Sequence, residues 1–254
     1  MEYNSTKIYR PPVSQLKKIY KIKKREIISR LKEFEKIRVE GNDENIFTEL
    51  AFCILTPQSK AKLCWSTILK LKEHDLLLKG NTEQIRKSLA CVRFKNKKAE
   101  FIVKARESFL PPSHSFENPP SPPLPKGGVE GLHKGGRGDF KVNNYVSIKP
   151  ILRKFNDINK LREWLVSNIK GIGHKEASHF LRNIGLGKNI AILDRHILRN
   201  LKDFGVIKEI PKSISKAKYL EIEKKMSAFS KKIGIPLSHL DLLLWYKETG
   251  EIFK

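Results

Sequence analysis

Apolar residues at helical spacing are the feature of this sequence that most restricts its fold. The clearest run is Ile46, Phe47, Leu50, Ala51, Ile54 and Leu55. This periodicity predicts an amphipathic α-helix, which Thr56-Pro57 ends because proline cannot continue the hydrogen-bond ladder. Looser helical spacing predicts further helices over residues 13–40, from 59 to about 72, and in the apolar segment 237–244. Strand-like alternation is absent from the sequence, so we predict an all-α fold.

The charge balance bears on what the protein binds. Lys and Arg number 51 against 27 Asp and Glu, a formal net charge of +24 at pH 7. Such an excess favours a polyanionic partner, because each phosphate contact releases condensed counterions. It is also compatible with a protein that is merely lysine-rich. No stretch approaches the roughly 20 apolar residues of a membrane span, and the first ten residues lack an apolar signal region. We therefore expect no membrane partner, and a cytoplasmic location.

The cysteines argue against a disulfide or metal framework. Cys53, Cys64 and Cys91 are odd in number and scattered, which is not the pattern of a disulfide-bonded protein. They cannot supply four thiolates to an iron–sulfur cluster, and no closely spaced Cys/His quartet suits zinc. We expect all three to be buried small apolar side chains, and we predict no metal and no cofactor.

A segment rich in proline and glycine interrupts the helical pattern. Residues 111–139 hold seven of the 13 prolines and six of the 15 glycines. Such a composition buries too little apolar surface to offset its chain entropy. We predict a disordered surface insertion. Its charges cancel, so we assign it no role in DNA binding.

A glycine turn between two helical patterns is the first candidate binding element. Residues 169–173 read Ile-Lys-Gly-Ile-Gly. Gly171 and Gly173 permit a tight bend, and backbone N–H groups at the start of the next helix suit a DNA phosphate. Lys170 adds a direct charge. Many helix–helix connections that bind nothing also contain such a turn, so the turn alone leaves both readings open.

A lysine and an aspartate follow this turn at suggestive spacing. Lys175 comes two residues after the turn, and Asp194 comes 19 residues after Lys175. A neutral lysine amine can attack C1′ of a nucleotide and form an imine, and desolvation in a pocket favours the neutral amine. A carboxylate favours the charged amine, so Asp194 is better suited to stabilising an oxocarbenium-like sugar and positioning or deprotonating the amine. The alternatives are an exposed basic residue for Lys175 and a helix N-cap for Asp194, and the aspartate can serve both roles.

These motifs resemble a known superfamily. Gly-Ile-Gly-His-Lys-Glu-Ala-Ser-His-Phe-Leu-Arg-Asn at 171–183 and Ile-Leu-Asp-Arg-His at 192–196 resemble the helix-hairpin-helix, Gly/Pro-rich loop and catalytic aspartate of base-excision-repair glycosylases. Leu-Thr-Pro-Gln-Ser at 55–59 and the ending from 242 to 254 are similar to the archaeal-type, type 2 8-oxoguanine DNA glycosylases. The loop before Asp194 departs from the pattern, with Gly185 and Gly187 but no proline.

The resemblance implies a two-lobed helix-hairpin-helix DNA glycosylase fold with the active site between the lobes. The lobes would span about 45–147 and 148–210, with the N- and C-terminal helices packing together. The implied activity is a bifunctional DNA N-glycosylase and abasic-site lyase that flips out 8-oxoguanine. Lys175 would be its Schiff-base nucleophile and Asp194 its essential carboxylate. The expected partner is double-stranded DNA containing damaged guanine, which would associate the protein with the nucleoid, and the protein is expected to be a monomer.

Two alternatives stay open beside this interpretation. One is a glycosylase for another lesion, such as an oxidised pyrimidine, against which the missing cluster cysteines argue mildly. The other is a non-catalytic helix-hairpin-helix DNA-binding protein. Lys175 and Asp194 together argue against that second alternative, because binding alone needs the turn and basic residues but not this pair.

The resemblance also implies residues that contact DNA. Gln58 falls where the superfamily inserts a polar residue into the gap left by the flipped base. Ser59 would contact DNA beside it, or act as the N-cap of the next helix. Arg93, in a basic loop, is expected to reach a phosphate, unless it is simply solvated.

Recognition of the base is expected from the end of the chain. Lys254 resembles the C-terminal lysine that forms part of the base pocket in the type 2 family. The resemblance implies that its carboxylate accepts hydrogen bonds from the purine edge and its ammonium donates them. Phe253 and Trp245 are candidate stacking surfaces, although both residue types are more often core residues. His179, one helical turn after Lys175, is expected to face the base.

Overall fold

Helices make up all the regular structure that the computed structural model describes, which covers residues 12–110 and 146–254. In chain order they are α1 (Val13–Val39), α2 (Asp43–Leu55), α3 (Ala61–Glu73), α4 (Leu76–Lys79), α5 (Thr82–Ser88), α6 (Lys95–Glu107), α7 (Lys149–Arg153), α8 (Ile158–Asn168), α9 (His174–Asn183), α10 (Arg195–Asp203), α11 (Lys216–Ile233) and α12 (Leu237–Thr249). The all-α prediction is confirmed. The segment 111–139, for which disorder was predicted, lies outside the described residues.

Local sequence signals set several helix ends. Asn42 caps α2 by accepting the Asn45 N–H at 2.9 Å, and the Asn45 side chain accepts the Asn42 N–H at 3.1 Å. Such reciprocal bonds satisfy donors that a helix start leaves unpaired. Gly234 caps the C-terminus of α11, and its φ of 73° is accessible to glycine at little cost. The alternative role of Ser59 as the N-cap of α3 is excluded, because Lys60 precedes the helix and the Ser59 hydroxyl is engaged elsewhere.

Helix α2 is the most deeply buried element. Each of its ten residues from Ile46 to Leu55 is buried, including Thr48 and Glu49. Helices α1, α3, α6 and α9 pack around it. The predicted helix is therefore present, but it is enclosed on all sides rather than exposed along a polar face.

Buried apolar side chains form two clusters. The first runs from Ile46 to Ile190 and draws on helices α2 to α9. The second joins α1 to the segment from Ala191 onwards, including α10, α11 and α12. Helix α1 packs directly against α12, so the two ends of the described chain meet. The clusters thus divide near residue 190, and the lobe limits given from the sequence stay a prediction.

The cysteines differ in their surroundings. Cys53 and Cys64 are buried, as predicted, whereas Cys91 is exposed. That prediction was wrong for Cys91 because Leu89 and Val92 supply the buried contacts of the turn after α5. Within residues 12–110 and 146–254, no helix is long and apolar enough to cross a membrane. The same residues contain no group of three or more His, Cys, Asp or Glu arranged to hold a metal ion.

Candidate active site

A cleft of about 630 Å³ lies where the two buried clusters meet. The turn between α2 and α3 forms one side, and residues 192–197 with part of α12 form the other. The cleft collects eight of the residues singled out in the sequence: Gln58, Ser59, Arg93, Lys175, His179, Asp194, Trp245 and Lys254. These residues come from segments far apart in the chain, so the fold rather than any local motif brings them together.

The glycine turn lies beside the cleft rather than in its lining. Gly171 has a φ of 85°, and a Cβ there would stand 2.3 Å from the ring of Phe101, so this position requires glycine on both counts. The Gly173 N–H donates to Glu176 Oε2 at 3.2 Å at the start of α9. Lys170 is exposed. The turn therefore presents its basic side chain and the start of α9 outward, next to the cleft mouth.

Lys175 stands in the first turn of α9 with its amine inside the cleft. Its side chain is 24% exposed, and Nζ lies 3.5 Å from Glu176 Oε1. The short, well-packed hairpin fixes the backbone at this point, while the side chain stays reachable. An amine held in this way can approach a sugar carbon from within the cleft.

Asp194 combines the two roles weighed for it in the sequence. Its Oδ1 accepts the Ile197 N–H at 2.8 Å, which makes it the N-cap of α10. The residue is partly exposed and also lines the cleft. Capping fixes the carboxylate at one wall of the site, where it can face positive charge developing on a sugar.

Two side chains of α11 hold the segment before Asp194. The Tyr219 hydroxyl donates to the Ala191 carbonyl at 2.6 Å and accepts the Leu193 N–H at 3.3 Å. Glu223 Oε1 accepts the Ala191 N–H at 2.7 Å. The fully buried Arg162 donates to both oxygens of Glu223, at 2.7 and 2.9 Å. No sequence pattern indicated this network.

The C-terminal lysine is anchored by a buried acid that the sequence did not single out. The Lys254 ammonium pairs with Glu49, and it lies 3.7 Å from the centre of the Trp65 ring. Glu49 Oε2 accepts a hydrogen bond from Asn183 Nδ2 at 2.9 Å. Burial lowers the pKa of Lys254, and the negative charge of Glu49 opposes that shift. The pair with Glu49 therefore fixes Lys254 in the lining of the cleft.

An aromatic group surrounds this anchor. Phe52 makes edge-to-face contacts with Trp65 and His179, each at 5.5 Å between ring centres, and with Phe253 at 6.4 Å. Phe253 packs against the first cluster and does not line the cleft. His179 is buried, and its pKa is held well below the ordinary value, first by burial and then by nearby cationic side chains. His179 is therefore a neutral imidazole at the cleft wall.

Trp245 belongs to the opposite wall. It lies on α12, lines the cleft and makes an edge-to-face contact with His196 at 5.0 Å between ring centres. Its ring is only partly buried. Of the two aromatic residues predicted to stack on a base, Trp245 is thus the one that lies in the cleft.

A buried ion pair closes the inner end of the site. Arg182 Nη1 donates to Asp241 Oδ2 at 3.0 Å, and both side chains line the cleft. Asp241 is buried. Burial raises the pKa of Asp241 to about 6, against the opposing effect of Arg182. Neither residue was singled out in the sequence.

The turn that carries Gln58 is tied to α6. Gln58 is exposed and has a φ of 54°, the left-handed conformation that non-glycine residues rarely adopt. Buried Lys98 donates to the carbonyls of Leu55 and Pro57 at 2.7 and 2.8 Å, and to Ser59 Oγ at 3.0 Å. Burial lowers the pKa of Lys98.

The second contact of Ser59 reaches the basic loop. Ser59 Oγ also accepts the Arg93 N–H at 3.3 Å, so backbone of the loop before α6 is joined to the turn. The Arg93 guanidinium lies 5.6 Å from the centre of the Phe94 ring, and Arg93 is exposed. The charged end of Arg93 is thus free to turn towards the cleft mouth.

Comparisons with known proteins agree with this arrangement. The family model described as 8-oxoguanine DNA glycosylase matches residues 27–122 and 137–235. A Fusobacterium nucleatum protein named 8-oxoguanine DNA glycosylase/AP lyase is 42% identical over 241 residues, which is 95% of this chain and 97% of the relative. A Methanocaldococcus jannaschii protein of the same name is 37% identical over 245 residues, with 94% and 99% covered.

A solved structure extends the likeness to the fold. The crystal structure of the Methanocaldococcus jannaschii 8-oxoguanine glycosylase/lyase in complex with a 15mer DNA containing 8-oxoguanine matches with a TM-score of 0.74 at 35% identity, covering 95% of this chain and 100% of that one. The helix-hairpin-helix glycosylase fold predicted from the sequence is confirmed. The chain belongs to the 8-oxoguanine DNA glycosylase family.

Proposed function

We propose that this protein is a bifunctional DNA-repair enzyme that excises 8-oxoguanine from double-stranded DNA and then cleaves the strand 3′ to the abasic site. The observation that carries the proposal is that Lys175, on a hairpin with a basic side chain beside the cleft, and Asp194, the N-cap of α10, line one cleft. A protein that only binds DNA needs the hairpin but has no use for an amine and a carboxylate facing the same cavity.

The reaction begins with the damaged nucleotide outside the duplex, since its glycosidic bond is shielded in the base stack. The neutral amine of Lys175 attacks C1′ as the bond from C1′ to the base nitrogen breaks, and the base leaves with that electron pair. Asp194 stabilises the positive charge that develops on the sugar and accepts or relays the proton lost from the amine. Its capped position keeps the carboxylate in place throughout.

Strand cleavage follows from the covalent intermediate. The sugar ring opens to give an imine between C1′ and Lys175. Loss of a C2′ proton then expels the 3′ phosphate by β-elimination, and hydrolysis of the imine releases the enzyme. A water-activating glycosylase could stop after base release, so the lysine nucleophile is what predicts lyase activity.

The base is recognised between the two cleft walls. Trp245 offers a ring face for stacking, and the terminal carboxylate of Lys254 accepts hydrogen bonds from the purine edge. His179, a buried neutral imidazole at the cleft wall, can donate or accept a hydrogen bond according to its tautomer. Phe253 acts indirectly, because its packing against Phe52 fixes the end of the chain.

The DNA backbone and the gap in the duplex are bound around the cleft mouth. Gln58, exposed on its turn, enters the space that the flipped base leaves, with Ser59 fixing that turn. Arg93 and Lys170 contact phosphates, and the turn formed by Gly171 and Gly173 brings the start of α9 to a further phosphate. The net charge of +24 supports association with double-stranded DNA. The proposal includes a monomer that acts in the cytoplasm and at the nucleoid, without a membrane partner.

A panel of lesion duplexes tests the proposal, with base release and strand nicking scored separately. We expect release of 8-oxoguanine and nicking 3′ to the resulting site, with undamaged guanine untouched. Release of an oxidised pyrimidine but not of 8-oxoguanine would favour the alternative glycosylase. Binding without any release would favour the non-catalytic DNA-binding protein, and base release without nicking would contradict the lysine mechanism.

A further inference from the structure

We propose that Lys98 is a positioning residue for Gln58, which holds the turn between α2 and α3 in the shape that lets Gln58 enter the gap in the duplex. This inference rests on the function proposed above. Lys98 does not line the cleft, and its ammonium contacts the inner side of the turn while Gln58 lies on the outer side. It therefore acts through the turn and not on the substrate.

The contacts of Lys98 use its full donor capacity. An ammonium has three N–H groups, and Lys98 has three acceptors: the carbonyls of Leu55 and Pro57 and the hydroxyl of Ser59. All three acceptors lie within five consecutive residues, and Gln58 sits between the last two. Lys98 itself comes from α6, about 40 residues further along the chain, so it joins the turn to a separate packed helix.

The turn needs such a partner for two reasons. Leu55 is the last residue of α2, and helix C-termini carry carbonyls without intrahelical donors and a partial negative charge that favours a cation. Gln58 occupies the left-handed region at a φ of 54°, which a side-chain-bearing residue holds only where its surroundings enforce it. Strain of this kind, concentrated at a residue in the cleft mouth, is expected at a position whose geometry matters for function.

The structure contains a matched case on the same helix. Arg106, also on α6, donates to the carbonyls of Leu77 and Gly80 at 3.4 and 3.0 Å and so fixes another turn. That turn does not line the cleft. Arg106→Met therefore removes a comparable structural contact without touching the Gln58 turn, and it serves as the control for a purely structural role of Lys98.

A double-mutant cycle tests the proposal with Lys98→Met, Gln58→Ala and the combined variant. The readouts are single-turnover excision from an 8-oxoguanine duplex, fluorescence of 2-aminopurine beside the lesion as a signal of base flipping, nicking of a preformed abasic site, and Tm. We expect Lys98→Met to slow excision about 30-fold and weaken the flipping signal, while abasic-site nicking changes less than threefold. In the Gln58→Ala background it should slow excision less than threefold further, because both changes remove the same function.

Several results would overturn the inference. One is that Lys98→Met slows excision equally in the wild-type and Gln58→Ala backgrounds. Another is that Lys98→Met slows nicking of an abasic site as much as it slows excision. A third is that Arg106→Met, at matched Tm, slows excision as much as Lys98→Met does. Normal excision by Gln58→Ala would also overturn it. If Lys98→Met does not fold, Ser59→Ala removes one acceptor at lower cost and should give the same pattern at about threefold; full activity there contradicts the proposal. Excision by the wild type in the same assay tests the proposed function separately.

Discussion

The two walls of the cleft differ in how firmly their charged groups are held. The catalytic wall is the side that carries Lys175 and Asp194. Lys175 is 24% exposed and Asp194 is partly exposed, and each has a protein contact from its own helix. On the other wall, Lys254 is 10% exposed and pairs with Glu49, which is 2% exposed. The difference indicates that the groups that form and break bonds stay accessible to substrate. The groups that shape the base pocket are fixed by buried partners.

The largest effect should follow removal of the Lys175 amine from the catalytic wall. Lys175→Gln keeps a polar side chain of similar length but cannot form an imine. We expect borohydride trapping and turnover to fall by about 10³-fold or more, as for loss of a covalent catalyst, while stability changes little because the side chain is partly exposed. A variant that traps DNA as well as wild type does would show that the nucleophile lies elsewhere.

Asp194→Asn separates the two roles of Asp194, which are capping α10 and stabilising positive charge on the sugar. Asparagine caps helices about as well as aspartate, so the free energy of unfolding should change by less than about 1 kcal/mol. Loss of the negative charge should slow base release by roughly 10² to 10³-fold, the range seen when a charge-stabilising group is removed. Denaturant unfolding and single-turnover kinetics check the two values; an unfolded variant, or one with normal turnover, contradicts this assignment.

On the other wall, deletion of Lys254 should alter the choice of base rather than the lyase reaction. It removes the terminal carboxylate from its place and leaves Glu49 without its cation. We expect the preference for 8-oxoguanine over guanine to fall about 30-fold, roughly 2 kcal/mol, while nicking of a preformed abasic site changes less than threefold. Glu49→Gln, which keeps the carboxylate of Lys254 but weakens its anchor, should give a smaller change in the same direction. Unchanged base preference after deletion would remove the tail from the pocket.

The smallest effect concerns Asp241 and pH. Its pKa in the folded protein is about 6, above the ordinary 3.8, so between these values the folded protein binds a proton that the unfolded chain has lost. Asp241 therefore contributes stability that is fully present below about pH 4 and lost as pH rises through 6. Relative to Asp241→Asn, wild-type stability should fall by about 1.4 kcal/mol for each pH unit across this range. Urea unfolding of both proteins at pH 4.5 and 5.5 measures this change. A difference in free energy of unfolding between wild type and Asp241→Asn that stays constant or rises with pH contradicts the account.

The contrast between the walls also explains what the sequence could predict. The hairpin, Lys175 and Asp194 lie within 30 residues, and their roles depend on local geometry: a glycine turn, a first helical turn and an N-cap. All-α architecture and the approximate limits of α1, α2 and α3 followed from periodicity in the same way. These features need no knowledge of how distant segments pack.

The Lys254 wall and the inner end of the cleft depend on contacts that no local pattern encodes. Glu49 and Lys254 are separated by 205 positions, and Arg182 and Asp241 by 59. A buried acid within an apolar helix was the one available signal for Glu49, but its partner could not be inferred. The predicted role of the Lys254 ammonium as a donor to the base changes for this reason, because Glu49 engages it.

The most direct test of the account is to locate the covalent bond. Wild-type protein is reacted with an 8-oxoguanine duplex in the presence of borohydride, digested, and the modified peptide sequenced by mass spectrometry. The account predicts a reduced sugar adduct on Lys175 alone. An adduct on Lys60 or Lys254, the other lysines that line the cleft, or the absence of any adduct while base release proceeds, would contradict it.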